Sequence, residues 1–144
     1  MKNNFVFVYG TLRRGSELDI CKRFPDSSLV SEAAALGVLY DLGAYPGLFL
    51  NASGICIKGE VYKVTAEILK ELDEIEGFNR TDLEASYYFR KNVEVSLEDR
   101  TRLQCWVYEC NPKKFNRKDL ISSGDWIDYA KTKTNWPKDT WPDE

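Results

Sequence analysis

The sequence predicts an α+β fold in which a small mixed β-barrel, or a strongly curved mixed sheet, is flanked by a few helices. Apolar patterning predicts five or six strands and two or three helices. Strands and helices do not alternate often enough to supply the βαβ units of a doubly wound sheet. The 144 residues are 43% hydrophobic and 13% aromatic, so residues 1–144 are expected to form a single domain with its own core.

The chain is predicted to begin with a strand and a glycine-bounded loop. Residues 5–9 (FVFVY) are a continuous apolar run, which is typical of a strand buried on both faces. The strand ends at residues 10–15 (GTLRRG), where two glycines let backbone N–H groups approach a ligand closely. The alternative is an ordinary strand-to-helix turn. A phosphate-binding P-loop is excluded, because its spacing and its final Lys-Ser/Thr are missing.

The next part of the chain is predicted to hold a short helix and two strands. The helix falls within residues 16–30, and the strands cover residues 36–42 and 55–64. Between the strands, Pro46 and Gly47 suit the two central positions of a type II turn.

An amphipathic helix follows, with clear signals at both ends. Thr65 is the predicted N-cap, and Gly77 is the residue expected to end the helix in a left-handed conformation. At about 100° per residue, the apolar side chains form one stripe. The stripe consists of Ile68, Leu69, Leu72 and Ile75.

Glu76 is the one carboxylate of this helix that projects onto the apolar side, between Leu72 and Leu69, whereas the other acids, Asp73 included, point to solvent. A carboxylate placed there needs a partner, because its burial is otherwise costly. The helix C-terminus and partial desolvation both raise the pKa of Glu76, which suits a general base that works near neutral pH. The alternative is a carboxylate at a frayed helix end that points into water.

The last third of the chain predicts a hairpin, a helix and a tail. Residues 88–95 and 102–110 alternate between apolar and polar side chains and are expected to pair as antiparallel strands. Asp125 is the predicted N-cap of a helix over residues 126–131. The tail, residues 132–144, contains two Trp-Pro steps and is expected to dock on the domain as a strap.

Composition excludes several classes of function. The chain has no histidine, so Ser-His and Cys-His catalysis and His-ligated zinc are excluded, and a proton carrier must be a carboxylate, Lys, Tyr or Cys. A net charge of −3 with interspersed signs argues against nucleic acid. There is no apolar run of about 18 residues to span a membrane, and the first residues lack a signal-peptide pattern. Four cysteines without CxxC spacing are expected to be reduced thiols in a cytoplasmic protein.

Six short motifs, in this order and spread over roughly residues 5–130, carry a resemblance to a known family. They are Val8–Gly15 (VYGTLRRG), Tyr45–Leu48 (YPGL), Gly59–Val64 (GEVYKV), Leu72–Gly77 (LDEIEG), Tyr88–Arg90 with Val93 and Val95, and Gly124–Trp126 with Tyr129. Through these motifs the chain resembles the γ-glutamylcyclotransferase-like family, which includes γ-glutamylamine cyclotransferases and the AIG2-like group.

The resemblance implies a small β-barrel flanked by helices, with a pocket at the barrel mouth. It implies that Glu76 is the catalytic acid/base, and that Tyr88 either closes over the ligand or packs in the barrel. The loop that holds the α-amino and α-carboxylate end of a γ-glutamyl group is assigned to Tyr9, Gly10, Thr11 and Leu12. The implied reaction releases 5-oxoproline from a small γ-glutamyl amine or peptide, without a metal or other cofactor, in a monomer or weak homodimer.

Two other functions stay open at this point. The chain could be a non-catalytic small-molecule binding protein of the AIG2-like type, or it could hydrolyse an amide bond at the same carboxylate. Residues 16–20 (SELDI) depart from the family pattern by adding two acids, which could favour a cationic amine as the leaving group.

Overall fold

The computed structural model describes residues 4–16, 18–115 and 119–132. Within those ranges no helix is long and apolar enough to cross a membrane. The strap predicted for residues 132–144 lies outside the described residues from position 133 onward. The elements are β1 (Asn4–Val8), α1 (Ile20–Arg23), β2 (Ser28–Asp41), β3 (Pro46–Leu50), β4 (Ile55–Val64), α2 (Ala66–Ile75), a 3-10 turn (Leu83–Ala85), β5 (Tyr88–Leu97), β6 (Arg102–Cys110) and α3 (Trp126–Lys131).

Five of the strands close into a barrel, which confirms the predicted fold class. The order around the barrel is β2-β4-β1-β6-β5, the pairing of β2 with β5 closes it, and β3 adds to β2 as an extra strand. β1 runs parallel to β6 at Val6 and Trp106, whereas the other paired strands are antiparallel. The sheet is therefore mixed, and β1 lies between two neighbours, as its unbroken apolar run predicted.

Alternate side chains of the strands enter two apolar cores. One core takes buried side chains from all six strands and is joined by Trp126 of α3. The other core takes the opposite face of β1, β4, β5 and β6 and packs it against α1 and α2. The second core places α2 against the strands, with its carboxyl end near the point where β1 ends.

The helix α2 begins and ends as predicted. The Thr65 side chain accepts the N–H of Ile68 at 3.1 Å, so Thr65 is the N-cap. Gly77 has a φ of +66°, and the N–H of Phe78 bonds back to the carbonyl of Asp73 at 2.8 Å. These are the features of a helix closed by a glycine in the left-handed region. The orientation of residue 76 is consequently well defined.

Leu72 is fully buried between α2 and the strands. Replacing Leu72 by alanine should lower the free energy of unfolding by about 2–5 kcal/mol, because buried leucine side chains leave cavities of that cost. Denaturant-induced unfolding of the two proteins measures the difference. A loss below about 1 kcal/mol would contradict the docking of α2 described above.

Two local predictions are wrong. β2 begins at Ser28, eight residues before the predicted start at position 36, because a register shift between Leu29 and Ser31 breaks the alternation that marks a strand. Pro46 and Gly47 do not form a type II turn but begin β3. Proline is tolerated at the first residue of an edge strand, where the ladder needs no N–H.

Candidate active site

A cavity of about 500 Å³ opens where β1 ends and is lined by the residues that the sequence proposed for catalysis and substrate binding. Its walls come from the loop after β1, the carboxyl end of α2, and strands β5 and β6. The predicted residues that line it are Tyr9, Gly10, Thr11, Leu12, Glu76 and Tyr88. Further lining residues include Tyr45, which flanks the Pro46-Gly47 step and could from its position line either a pocket or a surface loop, and Pro46, Tyr108 and Phe115, which sequence reasoning did not assign to the site.

Glu76 is the C-cap residue of α2, and its side chain is partly buried. Its backbone N–H still donates to the carbonyl of Leu72 at 2.9 Å, so the helix end is ordered rather than frayed. The negative charge of Glu76 helps to raise the pKa of four neighbouring phenols, those of Tyr9, Tyr45, Tyr88 and Tyr108. The carboxylate therefore lies among the tyrosines of the cavity. This agrees with the helix projection, while the catalytic role of Glu76 stays a prediction.

Three tyrosine hydroxyls of the cavity donate their protons to the protein. Tyr9 donates to the carbonyl of Tyr108 at 2.7 Å, and Tyr88 donates to the carbonyl of Pro46 at 2.9 Å. The hydroxyl of Tyr108 donates to Oδ1 of Asp73 at 2.7 Å. A hydroxyl has one proton, so each of these oxygens can offer a ligand only lone pairs, and the oxygen of Tyr9 already accepts the backbone N–H of Leu48. This side of the cavity favours a ligand that brings N–H donors.

The same hydroxyls stay protonated well beyond neutral pH. Burial is the main cause that raises the pKa of Tyr9, and the charge of Glu76 is the next. Burial likewise raises the pKa of Tyr88, followed by the effects of Tyr9 and Glu76. For Tyr108, burial raises the pKa first and the Asp73 carboxylate second. Glu76 is thus surrounded by neutral phenols.

The loop after β1 supplies hydrogen-bond donors to the same cavity. The later N–H groups of the loop already have acceptors. These bonds run from Arg13 to the Gly10 carbonyl at 3.0 Å, from Arg14 to Oε1 of Glu60 at 2.9 Å, and from Gly15 to Oδ2 of Asp19 at 3.0 Å. No acceptor among the described residues bonds the N–H groups of Gly10, Thr11 or Leu12. Three consecutive N–H groups can consequently serve an anionic ligand group.

The comparisons with known proteins decide the family. A family model described as gamma-glutamyl cyclotransferase, AIG2-like, matches residues 6–128. The gamma-L-glutamyl-butirosin B gamma-glutamyl cyclotransferase of Niallia circulans is 34% identical over 128 residues, which cover 86% of this chain and 76% of that protein. The chain belongs to the AIG2-like γ-glutamyl cyclotransferase family.

Solved structures of similar proteins agree with the cyclotransferase fold. The structure of YkqA from Bacillus subtilis matches with a TM-score of 0.68 at 27% identity, covering 92% of this chain and 44% of that one. The chain thus spans less than half of YkqA. An AIG2-like protein from Mus musculus matches with a TM-score of 0.60 over 85% of this chain and 90% of that one. At 23% identity, this second likeness is one of fold.

The prediction that Asp73 points to solvent is wrong for this family member. The Asp73 side chain is 18% exposed, and Oδ1 lies 3.4 Å from Nε of Arg90 as an ion pair, besides accepting the Tyr108 hydroxyl. The guanidinium of Arg90 lies 4.5 Å from the centre of the Trp106 ring. A helix projection treats α2 alone, so it cannot include side chains that reach over from β5 and β6. The sequence signal that could have placed these side chains together was the predicted hairpin, in which Arg90 and Tyr108 are paired residues.

Asp19, one of the two acids added at residues 16–20, does not support a cationic leaving group. Asp19 is buried and accepts the N–H groups of Gly15 and Cys21, both at 3.0 Å. It does not line the cavity. Glu17 lies outside the described residues. The Asp19 carboxylate therefore stabilises the end of the loop through these hydrogen bonds.

Raised pKa values predict that this cyclotransferase family member loses stability at alkaline pH. Burial raises the pKa of the Cys105 thiol from 9.0 to about 12. Burial and the hydrogen bond to Asp41 raise the pKa of Tyr129 from 10.0 to about 12. Between the unfolded and folded pKa values the unfolded chain binds fewer protons, so the free energy of unfolding falls as pH rises. Below about pH 9 these groups contribute no pH dependence.

Denaturant-induced unfolding over a range of alkaline pH tests this expectation. The unfolding midpoint should fall progressively between about pH 9 and about pH 12. The Tyr129→Phe variant should show a smaller fall above about pH 10, since one of the titrating groups is gone. A midpoint that stays constant over this interval would contradict the assignment of these groups as protonated in the folded state.

Proposed function

We propose that this protein is a γ-glutamyl cyclotransferase that releases 5-oxoproline from a small γ-glutamyl amine or peptide. The observation that supports this best is the division of one cavity into two kinds of wall. One wall carries the Glu76 carboxylate and hydroxyl oxygens that can only accept. The other wall carries the N–H groups of Gly10, Thr11 and Leu12.

This division matches the two charges of an α-amino acid. A substrate α-ammonium group has three protons to donate and fits the acceptors around Glu76. The neighbouring α-carboxylate needs donors and fits the loop N–H groups. The family relative from Niallia circulans is named for γ-L-glutamyl-butirosin B, a γ-glutamyl compound, which supports the same substrate class here.

The proposed reaction needs one proton carrier. Glu76 takes a proton from the α-ammonium group, and the free amine attacks the γ-carbonyl carbon of the same molecule. The carbonyl oxygen gains negative charge, which loop N–H groups stabilise. Glu76 then gives its proton to the leaving nitrogen, and the bond between that nitrogen and the γ-carbon breaks. The ring nitrogen still carries one proton more than the product lactam. Glu76 passes this second proton to the freed amine, so that 5-oxoproline and an ammonium ion are released. No water is consumed.

Most of the rate enhancement would come from holding the substrate folded, because amine and carbonyl belong to one molecule. The cavity is suited to this task, since the two walls fix the amino-acid end while the γ-carbonyl approaches the amine. Proton transfer by a positioned carboxylate typically adds a further factor of about 10²–10⁴.

The leaving-group side of the cavity is aromatic. The ring of Phe115 lies 5.9 Å from that of Tyr45 and 5.8 Å from those of Tyr87 and Tyr88, measured between ring centres. Of these, Tyr87 is exposed. Aromatic rings offer large apolar contact area, so this side can accept the carbon chain of an amine.

A panel of γ-glutamyl amines and γ-glutamyl peptides tests the proposal, with 5-oxoproline, glutamate and free amine measured after incubation. Release of 5-oxoproline is the expected result. Release of glutamate instead would establish hydrolysis. If no panel member reacts although the folded protein binds them, the non-catalytic binding function replaces the proposal.

A further inference from the structure

Glu60 is a buried carboxylate that lies outside the cavity and has no part in the chemistry above. It belongs to β4, within the GEVYKV motif, and its side chain is only 4% exposed. It contacts the loop after β1 in two ways. Oε2 accepts Nε–H of Arg13 at 2.7 Å, and Oε1 accepts the backbone N–H of Arg14 at 2.9 Å.

We propose that Glu60, together with Arg13, is a positioning element that holds residues 10–15 in the conformation that presents the loop N–H groups to the ligand. The proposal rests on the proposed function, because it concerns the loop that would bind the substrate α-carboxylate. Glu60 acts through the loop and touches no reacting atom.

The bond to the Arg14 N–H sets the direction of the loop backbone. A carboxylate buried beneath the loop directs that N–H away from the cavity. The three preceding N–H groups, those of Gly10, Thr11 and Leu12, are then the ones left at the cavity wall. Hydrogen bonds to an ionised acceptor are stronger than those between neutral groups, so this contact holds the backbone firmly.

The Arg13 side chain anchors the loop to a second element. Its Nη1 donates to Oδ1 of Asp125 at 2.9 Å, and Asp125 is the N-cap of α3 through the N–H of Asp128 at 3.2 Å. Burial opposes ionisation of Asp125, but the Asp128 N–H and the Arg13 guanidinium hold its pKa below the usual value. The guanidinium is therefore held between the barrel and α3, and the loop is fastened to both.

The hydrogen bonds inside the loop alone are few. Within residues 10–15 the backbone bond is that from Arg13 to Gly10 at 3.0 Å, and the far end is held by Asp19. The carbonyls of Leu12 and Arg13 also accept the N–H groups of Ile20 and Ser16, both at 3.0 Å. Without Glu60, the central part of the loop loses its contact with β4. A loop without this contact exchanges among conformations more readily, and the ligand then binds only the fraction of molecules whose loop has the correct conformation.

The Glu60→Gln variant tests the proposal, because glutamine keeps the shape but has one accepting oxygen instead of two. Because Arg13 and the Arg14 N–H bond different oxygens of Glu60, one of these donors would face the amide NH2 of the glutamine and lose its acceptor. We expect amide hydrogen exchange of the peptide covering residues 10–15 to be about tenfold faster or more in the ligand-free protein. We also expect KM for a γ-glutamyl amine to rise about tenfold, with kcat changed less.

The matched control is Glu109→Gln. Glu109 also accepts a backbone N–H, that of Leu50 at 2.8 Å, and pairs with a cation, Lys91, at 2.9 Å, but it braces β3 against β6. The control should lower stability and leave both loop exchange and KM unchanged. If Glu60→Gln behaves like this control, Glu60 is merely structural and the proposal is overturned.

Two further measurements keep the test independent of turnover. Hydrogen exchange requires no substrate, and ligand affinity can be compared between Glu76→Gln and the Glu60→Gln/Glu76→Gln double variant. Faster loop exchange with unchanged affinity would overturn the positioning role even if the protein is a cyclotransferase. Should Glu60→Gln fail to fold, Arg13→Gln removes the ion pair from the loop side and should change exchange and KM in the same direction.

Discussion

Replacing Glu76 by glutamine should lower the rate of 5-oxoproline release by about 10²–10⁴-fold, the usual contribution of a positioned acid–base group. Glutamine keeps the size of the side chain but cannot take a proton from the substrate ammonium group. The fold should persist, since Glu76 is the C-cap of α2 and its backbone bond to Leu72 does not involve the carboxylate. The effect should appear mainly in kcat.

The matched control for this experiment is Glu71→Gln. Glu71 belongs to the same helix but is exposed and lies outside the cavity. The Glu71→Gln variant therefore loses the same charge from the helix while the cavity stays unaltered. Single-turnover release of 5-oxoproline from the two variants and the wild type measures the effect. Undiminished release by Glu76→Gln would remove the carboxylate from the mechanism and leave it as a ligand for the ammonium group.

Local signals explain why α2 and its last carboxylate could be predicted from the sequence. A capping threonine, a helical apolar period and a terminating glycine all act within a dozen residues, and each was found in place. The prediction that Glu76 lies on the buried side needs only the two ends of the helix and the angle between successive residues. The same holds for the loop, because two glycines after a buried strand require no knowledge of the rest of the fold.

The parts that could not be predicted depend on neighbours distant in sequence. Asp73 faces outward on an isolated helix, but the hairpin brings Tyr108 and Arg90 to it. Pro46 and Gly47 have the composition of a turn, and only the position of β3 at the edge of β2 makes them strand residues. Glu60 belongs to a strand that was predicted, but its sequence position gave it no role. Its partner Arg13 lies 47 positions away in the sequence, and Asp125, the second partner of Arg13, lies 112 positions from Arg13.

Adding a side chain at Gly10 should weaken ligand binding for a purely steric reason. Gly10 does not have a positive φ, so its backbone conformation accepts other residues. A Cβ at this position would lie 2.7 Å and 2.8 Å from Cγ and Cδ of Pro46, closer than carbon atoms approach. Either the loop or β3 must move. Overpacking of this kind costs about 1–3 kcal/mol, so Gly10→Ala should weaken ligand affinity about 10- to 100-fold, and Gly10→Val should weaken it more.

The partner residue provides a rescue experiment that a general loss of stability would not show. Pro46→Ala removes Cγ and Cδ, the two atoms that a new Cβ would meet, and keeps the carbonyl that accepts the Tyr88 hydroxyl. If the clash is the cause, Gly10→Ala should weaken binding much less in the Pro46→Ala background than in the wild type. Calorimetric titration of a γ-glutamyl ligand into the four proteins of this cycle gives the coupling between the two positions. Additive effects would mean that the loop and β3 are independent, and that Gly10 is only part of a turn. Strong coupling would mean that the N–H groups at the cavity wall hold their place because a glycine lets the loop rest against Pro46.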